Sequence, residues 1–87
     1  MLLLVAESVS RRLREKLTAL MEAGTISPES RVLFVNMTET MAREAIAQLE
    51  QFGITHVHWI PFYPGAELPG DVHIAVTPDE MRYVPEE

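Results

Sequence analysis

Three histidines are the side chains in this sequence best suited to metal or acid–base chemistry. His56 and His58 stand two apart in the segment THVHWI, and His73 lies in VHIAV. On a strand, residues two apart share one face. A His-x-His pair joined by a third imidazole is a donor set for a divalent metal. No carboxylate sits directly beside them, and no helical His-Glu-x-x-His occurs. The reading favoured is three histidines on a sheet surface beside a helix, with no metal ligands and no cofactor. Histidine titrates near neutrality and suits a pH switch, but no other residue of the sequence supports that role specifically.

The next candidates stand just past apolar runs. Asn36 and Thr38 follow RVLFV, Tyr63 lies in the loop PFYPG that follows THVHWI, and Thr77 follows VHIAV. If these runs are parallel strands, the four residues lie at their carboxyl ends, where open α/β sheets bind ligands. A helix starting near Thr38 offers free backbone N–H groups to an anion. Phe62 and Tyr63 can stack on a flat ligand. Asn36, Thr38, Tyr63 and Thr77 are therefore the expected ligand-binding residues. The same positions also suit plain capping and turn chemistry, with Asn36 and Thr38 as caps and Pro64–Gly65 as a turn.

Other chemistries lack their residues. No G-x-G-x-x-G follows Asn36 and no G-K-[ST] occurs, so neither dinucleotide binding nor nucleotide hydrolysis is expected. Ser8, Ser10, Ser27 and Ser30 lie in helix or linker contexts without a nucleophile elbow. Asn36 stands where a receiver domain would carry a phosphoacceptor aspartate. The chain has no cysteine, which excludes thiol nucleophiles, disulfides and cysteine-ligated metal. No catalytic residue is expected.

These residues need elements to hold them. Val5, Val9, Leu13, Leu17, Leu20 and Gly24 follow helical spacing, predicting an amphipathic helix from about Ser8 to Ala23. Leu2 to Val5 can begin that helix or form a short strand. Helix is favoured, because Val5 and Val9 continue the stripe. The stripe suits either a two-stranded coiled coil or a helix that covers a sheet. TISPES (25–30) reads as a linker. RVLFVN (31–36) is apolar without alternation, as in a parallel strand buried on both faces. Thr38 to Phe52 is predicted helical, burying Met41, Ala45, Leu49 and Phe52, with Ala42 and Ile46 beside them and Gly53 as the stop. Strands at 55–60 and 72–76 flank a loop dense in proline and glycine. The expected fold is α/β: a small three-stranded, mainly parallel sheet, made of a βαβ unit plus one strand, with an N-terminal amphipathic helix. The expected organisation is a connector or dimerisation helix at 1–24 and a regulatory α/β unit at 31–87. One sheet face falls to the second helix. The other needs the first helix, a second copy of the chain, or residues beyond it.

The chain has 87 residues and a net charge of −6. The basic residues Arg11, Arg12, Arg14 and Lys16 crowd one stretch; beyond it only Arg31, Arg43 and Arg82 are basic. An acidic surface repels phosphate backbones, so direct nucleic-acid binding is not expected. The apolar run 1–6 is too short for a signal peptide or a membrane span, and a cytoplasmic location is expected.

The run RVLFVNMTETMAREAIAQLEQFGITHVHWIPFYPG, followed by DVHIAVTPDEMRYVP, resembles a region of bacterial sigma-54-dependent transcriptional activators. That region lies between PAS-type sensory modules and the ATPase. The segment is also loosely similar to the N-terminal receptor domain of propionate-catabolism activators. The features that carry the resemblance are Arg31–Asn36, Tyr63–Gly65 and Ile74–Pro78, within residues 31–85. It implies a signal-sensing or relay domain whose partners are neighbouring PAS and ATPase domains, a small-molecule effector and a second copy of the chain. The ATPase motifs and a helix-turn-helix are missing. Asp79 stands where such proteins usually carry a glycine after Thr-Pro.

Overall fold

A computed structural model of the chain describes residues 3–78. Six elements follow in order: β1 (Leu3–Ala6), α1 (Ser10–Glu22), β2 (Arg31–Val35), α2 (Glu39–Gln51), β3 (His58–Phe62) and β4 (Ile74–Thr77). The strands form one sheet in the order β1-β4-β2-β3, and every pairing is parallel. The α/β class is as expected, but the sheet has four strands rather than three.

The added strand comes from the residues expected to begin the first helix. Leu3 to Ala6 pair with Ile74 to Thr77 instead. The spacing of Val5 and Val9 mimics a helical stripe, yet Val5 is buried in the sheet while Val9 is exposed and outside the helix. The decisive demand is tertiary. All four residues of β4 are buried, so its peptide groups need partners on both edges. β2 supplies one edge and β1 the other. Residues 3–24 and 31–78 are thus not separate packing units, because β1 and β2 share β4.

The direction of the crossovers assigns the faces. β1 to β2 and β2 to β3 run the same way across the sheet, so a common right-handed crossover puts α1 and α2 on one face. Their Leu13, Leu17, Ile46 and Leu49 join Val5, Val32, Phe34, Trp59, Ile74 and Val76 in one core. The return from β3 to β4 runs the other way, and its loop falls on the opposite face. There Val72 and Ala66 pack on Leu33, Val35, Phe62 and Ala75. The first helix therefore does not cover the second face; the loop does. The stripe residues Leu13 and Leu17 are engaged by the chain's own sheet rather than by a partner helix.

Local chemistry ends each helix. Thr38 Oγ1 accepts the Met41 N–H at 3.1 Å and caps α2. Gly24 and Gly53, at φ of 77° and 78°, allow the left-handed turn that closes α1 and α2. In α1 the Gly24 N–H bonds Met21 O and the Thr25 N–H bonds Leu20 O; in α2 Gly53 and Ile54 bond Glu50 O and Leu49 O. The Arg14 guanidinium donates to the Phe52 carbonyl, so α1 caps the carboxyl end of α2.

The buried stripe of α2 is Ala42, Ile46 and Leu49. Met41 and Phe52, expected inside, are 41% and 58% exposed. The sequence supports two overlapping stripes, and the wider core contact at Ile46 selects this one. β3 begins later than expected, at His58, and runs through Pro61 to Phe62. Trp59 anchors it: its ring meets Phe34 edge-on at 6.0 Å and its Nε1–H donates to Ile54 O at 3.0 Å.

The stripe assignment is testable by contrast. Ile46→Ala should cost about 2–5 kcal/mol, as buried aliphatic truncations do. Met41→Ala should stay within about 0.5 kcal/mol, as at exposed positions. Urea unfolding of both variants reads the difference; equal costs would contradict the observed orientation of α2.

Candidate functional site

All four strands are parallel, so their carboxyl ends lie along one edge of the sheet. That edge brings Asn36, Thr38, Tyr63 and Thr77 to the same side of the molecule. Each is tied into the backbone there. Asn36 is 8% exposed; its N–H donates to Phe62 O at 3.1 Å and its Oδ1 accepts the Met37 N–H at 2.8 Å. The Thr38 hydroxyl is occupied as the cap of α2. Tyr63 is half-buried and its carbonyl accepts the Ala66 N–H at 3.0 Å, closing the Pro64–Gly65 turn. Thr77 is fully buried, and its carbonyl accepts the Glu7 N–H at 2.9 Å.

The histidines are dispersed. His56 precedes β3 and His58 opens it, so they do not share a strand face. His56 Nε2 lies 3.4 Å from Thr18 Oγ1. His73 precedes β4, with β2 between it and β3. Among the described residues no group of three or more His, Asp or Glu side chains could hold a metal ion.

The cavity of interest opens beside that edge, between α1 and α2 on the helical face. Its volume is about 140 Å³. Leu13, Phe34, Ala45 and Leu49 form an apolar floor. Glu7, Ser8, Ser10, Gln48 and Pro78 form the rim. The space exists because α1 and α2 are held together one turn further on, at Arg14 and Phe52, while small Ala45 faces the first turn of α1. Sequence reasoning missed this site. Its rim comes from the β1–α1 connection, which helical spacing had merged into one long helix.

Glu7 is the charged group of the rim. Its Oε1 lies 3.0 Å from Lys16 Nζ, and its Oε2 accepts the Val9 N–H at 3.1 Å. The Lys16 hydrogen bond, then the Val9 N–H, then the charges of Lys16 and Arg12 hold its carboxyl below the usual value. Glu7 is therefore ionised at neutral pH and is a poor proton donor. Among the described residues no hydrogen bond links the Ser8 or Ser10 hydroxyl to a base. The rim can orient a polar group, and the floor can bury an apolar one.

No family model, curated protein or solved structure matches the chain. Among the described residues no helix is long and apolar enough to cross a membrane.

The depressed carboxyl of Glu7 makes a prediction about pH. A carboxylate with a lower pKa folded than unfolded stabilises the fold above its unfolded pKa. That contribution disappears as pH falls through the folded pKa. Asp71, held down chiefly by its hydrogen bond from Arg31 at 2.7 Å, acts in the same direction. Glu7→Gln should therefore lower stability at pH 7 and reduce the further loss on acidification, with Asp71→Asn reducing it again. Urea midpoints measured between pH 7 and pH 3 would show this; a Glu7→Gln curve parallel to the wild type would refute it.

Proposed function

We propose that this chain is a non-catalytic signal-sensing or relay domain of a bacterial sigma-54-dependent transcriptional regulator, acting in the cytoplasm. Neighbouring PAS and ATPase domains are its partners in this reading. The resemblance of residues 31–85 supports the regulator assignment. The cavity between α1 and α2 supports sensing, and it is the observation that carries the reading. Its floor is apolar and its rim holds an ionised carboxylate and hydroxyls, and among the described residues no hydrogen bond sets a nucleophile against a base. Such a site favours binding over bond cleavage.

The volume sets the ligand class. A cavity of about 150 Å³ holds a molecule the size of benzene. The effector is accordingly a small molecule with an apolar body and one hydroxyl or amine for the Glu7 and serine rim. It touches both helices, so it acts by favouring one spacing of α1 against α2. Asn36, Thr38, Tyr63 and Thr77 then shape the sheet edge beside the cavity rather than contacting the effector.

Benzyl alcohol is a suitable probe. Titrated into the millimolar range, it should shift the backbone NMR signals of Leu13, Ala45 and Gln48. Ala45→Leu, which fills the floor, should abolish those shifts and leave the rest of the spectrum native. Shifts scattered over the surface, or binding indifferent to Ala45→Leu, would sink the proposal.

A further inference from the structure

The two edges of the sheet are built differently. The hydrogen-bond pattern shows which peptide groups face outward. The N–H of Leu3 donates to His73 O at 2.7 Å and that of Glu7 to Thr77 O at 2.9 Å. In a parallel ladder, alternate residues of a strand bond the same neighbour. Leu3, Val5 and Glu7 thus face β4, and the N–H and C=O groups of Leu4 and Ala6 point away from the sheet. At the other edge the N–H of His58 donates to Ser30 O at 2.8 Å and Phe62 O accepts from Asn36 at 3.1 Å. There Trp59 and Pro61 carry the outward positions.

Pro61 has no N–H to offer, and a proline at an outward position is a standard guard against edge-to-edge pairing. β1 carries no guard. Its residues are Leu3, Leu4, Val5 and Ala6, without proline, charge or bulge. Among the described residues no strand pairs with its outer side. Leu3, at its amino end, is 44% exposed.

The geometry points to β1 as a self-association edge, on which a second copy of this chain adds its own β1 antiparallel across a two-fold axis. The spacing is self-complementary. With Val5 opposite its own copy on the axis, Leu4 faces Ala6 of the other protomer. Each such pair exchanges two N–H···O bonds, and the two-fold generates the second pair. The same rotation sets the amino end of one β1 beside the carboxyl end of the other, bringing Leu3 opposite Glu7 of the other protomer. An isologous contact of this kind closes after two subunits. It uses the strand ladder alone, so its test needs no ligand in the cavity. The joined strands are short, so the dimer is weak and concentration-dependent.

The test uses the whole chain. Sedimentation over a range reaching about 1 mM should show a monomer–dimer equilibrium. Ala6→Pro removes an outward N–H that the fold does not use, and Leu3→Glu sets a carboxylate opposite Glu7 of the other protomer. Each should weaken the dimer about tenfold or more, with native circular dichroism. The Leu4 and Ala6 amides should exchange fast when dilute and slow when concentrated. A chain that stays monomeric at the highest concentration overturns the proposal. So does a dimer that both variants leave intact. Protection of the Leu4 and Ala6 amides in the dilute monomer would also overturn it, since another segment of the same chain would then occupy the edge.

Discussion

The structure depends on a four-residue strand that has no water on any side. Ile74, Ala75, Val76 and Thr77 are all buried, three of them completely. Burying a peptide group without a partner costs more than a typical hydrogen bond returns. β4 is therefore stable only between two ladders, and the chain supplies them from distant places: Val32–Phe34 on one side and Leu3–Ala6 on the other. This single requirement fixes the strand order. It leaves the slot between β1 and β2 to be filled by the last strand, and it forces the β3–β4 connection back over β2. The loop's position on the otherwise uncovered face follows from that return.

The local features were legible in the sequence. RVLFV reads as a doubly buried strand, Thr38 as a cap, Gly24 and Gly53 as helix stops, and each is so used. The failures share a cause. Val5 and Val9 stand four apart whether or not a helix joins them, and only the need of β4 for a partner shows that a strand ends at Ala6. In α2, Met41–Ala45–Leu49–Phe52 and Ala42–Ile46–Leu49 are both helical stripes. The choice depends on where β2 and α1 lie, which spacing within one segment does not contain. Pro61 reads as part of the loop dense in proline and glycine, and the strand runs through it to Phe62. At an outward position of an edge strand it interrupts nothing, and edge status is a property of the sheet.

The same limit applies to the candidate site. Asn36, Thr38, Tyr63 and Thr77 were found by the rule that ligands gather at carboxyl strand ends, and the parallel sheet does collect them there. The Asn36 and Thr38 side chains accept the Met37 and Met41 N–H groups, and the Tyr63 and Thr77 carbonyls accept those of Ala66 and Glu7. The cavity lies one layer away, between the helices, and no motif marks it. It arises from a mismatch in helix contact: Arg14 grips the Phe52 carbonyl, while Ser10, one turn earlier, and Leu13 line the space beside the small side chain of Ala45.

That mismatch gives the helix pair one fixed end and one open end. A molecule in the opening presses on the first turn of α1, and that turn continues directly into Glu7. Glu7 is bonded three ways: its N–H to Thr77, one carboxylate oxygen to Lys16, the other to the Val9 N–H. It is also the residue immediately after Ala6, whose outward N–H belongs to the proposed dimer edge. Cavity and edge thus meet at one residue. In the proposed reading, an effector that favoured one setting of Glu7 would bias the end of β1, and by linkage the pairing of β1 would bias the cavity by the same free energy. The physical path between cavity and edge is two residues long, Glu7 and Ala6, and needs no distant relay.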